Sequence, residues 1–317
     1  MKMKNNKTAV ITGATGMLAL ALMRRLISEG YYIYAVARPD SPRIADIPES
    51  DMITTVKCDM HNYKNLSSMI NSCCDIFFHF AWEGTSGNAR NDMALQTRNI
   101  RASAEAVSAA AELGCQVFLG AGSQAEYGRK ECAVTPDMPA FPENGYGMAK
   151  LCAGQMTRLM CKEKGIKHIW CRIFSVYGPY DGNQTMIMSS VRKLIDGGTP
   201  CFTPAEQMWD YLYCDDAAAA LYLAAVKGRD GHVYCVGSGE VRMLRDYITE
   251  LRDRTDPAAQ IEIGAVPYSE NQVMYLCADI TSLKEDTGFI PQYSFSRGIS
   301  ATIEWYKLRL NGGGTDK

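Results

Sequence analysis

An α/β protein with a doubly wound parallel sheet and a smaller second lobe is the fold class this sequence predicts, and three observations predict it. Short β-type runs alternate with helical stretches through the first half. A glycine loop separates the first such pair. Beyond residue 174 the alternation gives way to Gly- and Pro-broken chain. Alternating strands and helices argue for a parallel sheet covered on both faces, because each crossover lays a helix on the sheet.

The elements follow in order. Thr8–Thr12 is an apolar β-branched run, and Met17–Glu29 has helical periodicity with Gly30 as its stop. Tyr32–Ala37, Ile53–Lys57, Asp75–His79, Gln116–Gly120 and His168–Arg172 continue the strands. Arg98–Leu113 and Tyr146–Lys164 are the main helices between them, and Val233–Val236 adds one more strand. Gly178-Pro179, Asp181-Gly182, Gly197-Gly198 and Thr203-Pro204 then punctuate residues 174–210. From 237 on there are helical runs such as Met243–Arg254, and Gly312-Gly313-Gly314 reads as a frayed tail. The division expected is a nucleotide-binding domain over 1–173, with 211–236 returning to it. A substrate lobe is expected from 174–210 and 237–317.

Composition limits the function. The chain has 317 residues, 47% hydrophobic and 21% charged, which excludes a disordered chain. A net charge of −2 offers no basic field for nucleic acid or anionic lipid. The twelve cysteines include no C-x-x-C pair and mostly sit inside apolar runs, where thiols act as small buried hydrophobes rather than as metal ligands or disulfides. Met1-Lys2-Met3-Lys4 mimics a signal peptide, but Thr12-Gly13, Gly16 and Arg24-Arg25 interrupt it. The expectation is a cytoplasmic chain without metal, membrane or nucleic-acid partner.

Thr12-Gly13-Ala14-Thr15-Gly16-Met17-Leu18-Ala19 lies between the first strand and the first helix. A helix start offers free N–H groups and a positive dipole end to a pyrophosphate. Gly13 permits the tight turn, Gly16 the close approach of phosphate, and Ala19 the packing of helix on strand, as in Rossmann-type dinucleotide sites. At the end of the second strand a carboxylate would hold the ribose hydroxyl of NAD. Here Ala37 is followed by Arg38, with Ser41 and Arg43 nearby, a set suited to the additional phosphate of NADP. NADP(H) is expected ahead of NAD(H), although a solvated Arg38 is the bland alternative.

Tyr146 and Lys150 are four apart in a helical segment and share a face. A phenol of pKa ~10 is a poor acid–base catalyst near neutrality unless a cation stabilises its phenolate. Lys150 can supply that charge, and Ser123, at the C-terminal edge of the sheet, can orient a reacting oxygen.

These residues resemble the extended short-chain dehydrogenase/reductase family of nucleotide-sugar epimerases, dehydratases and ketoreductases. Carrying the resemblance are the glycine loop, Asp59, Phe78-His79-Phe80-Ala81, Asn99, Ser123 with Tyr127-Gly128, and Tyr146-x-x-x-Lys150. Arg172-Ile-Phe-Ser-Val-Tyr-Gly-Pro179 and Trp209-Asp210-Tyr-Leu-Tyr-Cys-Asp-Asp216 extend it over nearly the whole chain. It implies that Asp59 meets the adenine and that Thr15, Met17, Leu18, Met60, Phe80, Ala81, Trp82, Asn99 and Ile173 also border the cofactor. It implies further that Tyr146 is the acid or base, and that Ser123, Gln124, Ser175 and Trp209 face a sugar nucleotide held by the second lobe. A homodimer through the helices Arg98–Leu113 and Tyr146–Lys164 is expected by the same analogy.

Departures narrow this. Family dehydratases carry Asp-Glu directly after the Ser/Thr, and here Gln124 and Ala125 stand there. Ser175 replaces a frequent Asn, Trp209 a frequent Arg, and Gln272–Cys277 is uncharged. Arg192 or Arg242 could substitute as a pyrophosphate's partner, although surface placement is the expectation for either. The stretches GAGSQAEYG and WDYLY look most like CDP-abequose and CDP-paratose synthases. The reading is an NADPH-dependent reduction of a nucleotide-linked 4-keto-deoxyhexose at C4. A C4 epimerase with tightly held NAD(P) and a non-catalytic NADP-sensing protein are the alternatives.

Overall fold

The computed structural model describes residues 7–311; the stretches Met1-Lys2-Met3-Lys4 and Gly312-Gly313-Gly314 lie outside them. Strands β1 (Lys7–Thr12), β2 (Tyr31–Ala37), β3 (Ile53–Lys57), β4 (Ile76–His79), β5 (Val117–Ser123) and β6 (Lys167–Ile173) are followed by β7 (Ser175–Tyr177), β8 (Cys201–Phe202), β9 (Met208–Trp209) and β10 (Tyr211–Tyr213). Then come β11 (His232–Val236), β12 (Arg242–Met243), β13 (Glu262–Ile263) and β14 (Tyr275–Leu276). The helices are α1 (Met17–Ser28), α2 (Leu66–Met69), α3 (Met93–Glu112), α4 (Gly145–Lys164), α5 (Met186–Ile195), α6 (Cys214–Lys227), α7 (Leu244–Thr255), α8 (Thr281–Thr287) and α9 (Phe295–Asn311).

Seven strands form one sheet in the order β3-β2-β1-β4-β5-β6-β11, every pairing parallel. This is the doubly wound sheet the alternation predicted. Successive side chains of a strand face opposite ways, and the core divides accordingly. Ile11, Ile33, Phe78 and Leu119 pack with Leu20, Leu26, Leu221 and Ala224 of α1 and α6. Val10, Val36, Phe77 and Phe118 pack with Ala106, Val107 and Ala110 of α3. The order reverses between β1 and β4, so the C-terminal ends of these strands open a crevice there.

Helix α3 begins five residues before the expected Arg98, because Asp92 accepts the Leu95 N–H at 3.0 Å and caps it. Outside this sheet lie a three-stranded sheet, β12-β9-β14, and two pairs, β13-β8 and β10-β7. Asp210, between β9 and β10, ties the chain after β11 and after β14 to this point: its carboxylate, fully buried, accepts from Ser238 N and Oγ, Gly239 N and Ala278 N. All twelve cysteines are free. Eight are buried as expected, whereas Cys73, Cys132, Cys152 and Cys201 are exposed. No described helix is long and apolar enough to cross a membrane.

Candidate active site

The crevice holds a cavity of about 500 Å³ bordered by Gly13, Thr15, Gly16, Ala37, Arg38, Met60, Phe80, Ala81 and Trp82. Gly13 has φ +68°, and a Cβ there would lie 2.8 Å from the Ala81 backbone nitrogen, so the β1–α1 and β4–α3 loops meet at a point only glycine permits. Gly16 is the N-cap of α1. No side chain caps that end and no acid stands in its first turn, so its N–H groups face the cavity as donors for an anion. Met17 and Leu18 form the half-buried first turn. These features suit a dinucleotide whose pyrophosphate rests on α1.

At the end of β2, Arg38 is exposed on the cavity rim, without an ion pair among the described residues. Ser41 Oγ reaches Thr15 Oγ1 at 3.4 Å, joining the two loops on either side of this rim. Arg43 turns away: it pairs with Asp46 at 3.3 Å and donates to the Tyr180 carbonyl at 3.0 Å. Asp59 caps the following turn by accepting from His61 N at 2.8 Å, and its neighbours Cys58 and Met60 are the ones that border the cavity.

Below the cavity floor runs a chain of hydrogen bonds. Ser103 Oγ donates to the Asn99 carbonyl at 2.9 Å, so His79 Nε2 must donate to Ser103, and Nδ1 accepts from Thr12 Oγ1 at 2.9 Å. Thr12 Oγ1 then accepts from the Phe80 amide at 3.1 Å. Burial, helped by the charge of Lys150, lowers the His79 pKa to about 3, and the ring is a neutral strut. Asn99, expected beside the cofactor, is used elsewhere. It accepts from Glu83 N, donates to Glu83 O and Gln96 Oε1, and so braces the β4–α3 loop from behind. Gln96 completes the brace with bonds to Gly84 O, Ala89 O and Trp82 Nε1.

Ser123 ends β5, and Tyr146 and Lys150 stand one turn apart on α4, whose first turn is capped by Asn144. The Ser123 hydroxyl accepts from Ala125 N at 3.2 Å, leaving its proton for the Tyr146 phenol. Burial raises the Tyr146 pKa; the Ser123 hydrogen bond and the charge of Arg90 oppose this, and Glu126 adds to it. Lys150 is buried, and desolvation lowers its pKa to about 7 against the attraction of Glu126. Its Nζ donates to the Ala121 carbonyl at 2.7 Å and lies 3.8 Å from the centre of the Trp82 ring. The ring of Tyr146 is further away, at 5.8 Å. Trp82 meets Tyr146 edge-on at 6.1 Å.

Three residues near the site escaped the sequence reading. Arg90 lies over the Tyr146 ring at 4.5 Å. Glu126, fully buried, accepts from Ser123 N at 2.8 Å, Trp170 Nε1 at 3.0 Å and Arg172 Nε at 2.6 Å, within a separate cavity behind the strand ends. Gln96 is the loop brace. The one available signal was position: Arg90 sits in a long loop at the C-terminal end of β4, where ligands bind in such sheets.

The substrate candidates are placed as follows. Gln124 is half-buried directly after Ser123, and Ile173 ends β6. Trp209 Nε1 donates to Ser175 Oγ at 2.9 Å, so these two hold one another. Arg242 is paired with Glu250 at 2.9 Å and lies over Tyr247, which occupies it within the lobe.

Comparison with known proteins accords with this geometry. A model described as the NAD dependent epimerase/dehydratase family matches residues 9–237. A dTDP-glucose 4,6-dehydratase of Escherichia coli is 27% identical over 176 residues, 52% of this chain and 49% of its own. One from Streptomyces antibioticus is 22% identical over 267 residues, 83% of this chain and 79% of its own. The chain thus spans about half the length of the Escherichia coli relative it matches. Among solved structures, a UDP-glucose 4-epimerase of Thermotoga maritima with UDP-glucose superposes with TM-score 0.86 at 21% identity, covering 96% of this chain and 99% of that one. A dTDP-glucose 4,6-dehydratase of Streptomyces venezuelae with NAD bound gives 0.84 at 20%, covering 96% and 98%.

Proposed function

The chain belongs to the NAD dependent epimerase/dehydratase family, and from that premise we propose that it is an NADPH-dependent ketoreductase acting at C4 of a nucleotide-linked 4-keto-deoxyhexose. The observation that carries the reading is the end of β2. Ala37 stands where a carboxylate would hold the ribose of NAD, and Arg38 stands beside it on the cavity rim with Ser41 and Thr15. Consumption of NADPH is the expected use of such a site, since a net reduction needs a fresh reductant at each turnover.

When bound, the reduced nicotinamide supplies a hydride. The residues of the chain do the rest. Tyr146 gives its phenolic proton to the C4 oxygen as that oxygen gains charge, Ser123 turns its one hydroxyl proton from the phenol to the same oxygen, and Lys150 fixes the floor through Ala121. Loss of water from C5 and C6 would need an acid and a base next to Ser123. Gln124 and Ala125 supply neither, and the Glu126 carboxylate is saturated by Ser123 N, Trp170 and Arg172.

In the same reading residues 7–173 and 211–236 bind cofactor, and 174–210 with 237–311 bind the sugar nucleotide. A homodimer through α3 and α4 is supported by the exposed Met148, Met156 and Leu159 on α4; a single-subunit mass by light scattering would remove that part.

The test is loss of reduced-nicotinamide absorbance against a panel of nucleotide-linked 4-keto-deoxysugars, with NADPH and NADH in parallel. NADPH consumption supports the proposal. A preference for NADH overturns the reading of Arg38. Conversion at C4 without net consumption, with cofactor retained through purification, replaces the reductase by an epimerase.

A further inference from the structure

The residue after Ala81 in the β4–α3 loop is a tryptophan, and its ring lies against the Lys150 ammonium and meets Tyr146 edge-on. Lys150 Nζ faces the ring of Trp82 at 3.8 Å and the Ala121 carbonyl at 2.7 Å, but the Tyr146 ring only at 5.8 Å. The other cation near the phenol is closer. Arg90 Cζ stands 4.5 Å from the centre of the Tyr146 ring.

Arg90 is held there. Its Nη1 donates to the Thr85 carbonyl at 3.1 Å, and Gln96 and Asn99 pin the loop on either side of that turn. Asn91 Oδ1 accepts the Gly145 N–H at 2.9 Å, tying the loop to the first turn of α4 next to Tyr146. A Cβ on Gly145 would come within 2.9 Å of the Arg90 carbonyl, so loop and helix touch through backbone. A guanidinium over a phenol face is attracted by the ring, and more strongly once the phenol has lost its proton and the ring carries negative charge.

We propose that Arg90, rather than Lys150 alone, is the cation that stabilises the Tyr146 phenolate as the proton leaves for the substrate oxygen. The inference rests on Tyr146 being the acid–base group of the proposed reaction. The charges around the phenol are consistent with it: Arg90 opposes the effect of burial, Glu126 behind β5 reinforces it, and Ser123 donates a hydrogen bond. Lys150, on the phenol's own helix, is buried, and desolvation disfavours its charged form against the attraction of Glu126. In this assignment one loop supplies both Trp82, the aromatic face against Lys150, and Arg90, the charge over the phenol.

The experiment follows the Tyr146 phenol directly, by NMR of the chain carrying ring-labelled [ζ-13C]tyrosine, with the resonance identified by its loss in Tyr146→Phe. Wild type, Arg90→Gln and Arg90→Lys are titrated as purified and with NADP+. In Arg90→Gln the resonance is expected to titrate about one unit higher, which corresponds to a roughly tenfold weaker acid. The upper pH limb of kcat for sugar reduction should move up with it, with kcat reduced roughly tenfold and KM nearly unchanged, and Arg90→Lys should restore part of both effects. An unmoved Tyr146 titration in Arg90→Gln overturns the inference. So does a raised KM with an unshifted kcat limb, which would place Arg90 on the substrate instead. A shifted resonance in a chain that reduces no nucleotide sugar upholds the role of Arg90 and removes the ketoreductase reading.

Discussion

In the proposed reaction Tyr146 is the residue on which the chemistry turns. Tyr146→Phe removes one oxygen from a ring held between Arg90 and the edge of Trp82, and so leaves the packing intact. Turnover is expected to fall by roughly a hundred- to ten-thousandfold while NADPH binding, read by fluorescence, stays unchanged. Arg38→Asp makes the opposite split. It removes a charged hydrogen bond of about 1.5–3 kcal/mol from the extra phosphate, so KM for NADPH rises at least tenfold and NADH becomes the better reductant. At His79 the prediction concerns pH. Burial lowers the ring to about 3 in the folded chain, while an unfolded histidine titrates near ~6.5. Between those values the unfolded chain holds more protons, so stability is whole above pH ~6.5 and drains away as the pH falls towards 3. His79→Gln, which cannot take up that proton, should show a flatter urea midpoint between pH 7 and pH 4.5 than wild type does.

Among the elements, the close meeting of loops is what can be broken most selectively. Gly13→Ala places a methyl 2.8 Å from the Ala81 backbone at a φ of +68°, costing about 1–2 kcal/mol in backbone conformation alone and pushing the two cofactor loops apart. Binding should be lost before folding is, which calorimetry with NADPH separates from the melting temperature. Further along α4, Gly154 leaves room for Trp170, whose ring a Cβ there would approach to 2.7 Å. Because Trp170 donates to Glu126, and Glu126 holds Ser123 N, Gly154→Ala should lower kcat from a place that touches no substrate. Pairing it with Trp170→Phe should recover part of the loss.

These elements also show what could be read from sequence. The strands, the glycine turn and the Tyr146–Lys150 pair are local patterns, visible in a window of ten residues, and the parallel sheet follows from their alternation. Arg90 over Tyr146, Glu126 beneath Ser123 and Trp82 against Lys150 are contacts between segments 56, 3 and 68 positions apart, and only the first and last needed the folded loop to exist. Glu126 was near enough to notice, yet its direction depends on Trp170 and Arg172 of β6. The second lobe was least legible, because strands of two residues such as β9 and β12 have no period to detect.

For the molecule as a whole, the segments outside the main sheet share its core through residues such as Leu194, Leu251, Leu276 and Phe295, and one buried carboxylate links three of these segments. Asp210→Asn keeps the shape but turns an acceptor into a donor facing Ser238, Gly239 and Ala278. A loss of about 2 kcal/mol is expected, with a falling urea midpoint and a rise in KM for the sugar larger than that for NADPH. The sheet itself has a consequence for how the chain is made. Strand β11 covers the edge of β6, yet it leaves the ribosome after an intervening stretch of about sixty residues, which at bacterial-like rates of ~5–20 residues per second takes several seconds. During that interval β6 is an unpaired edge rich in Ile169, Trp170 and Cys171, open to the wrong strand. Slowing synthesis between Ser175 and Gly231 should therefore raise aggregation of the newborn chain, and a chaperone that shields strand edges should relieve it.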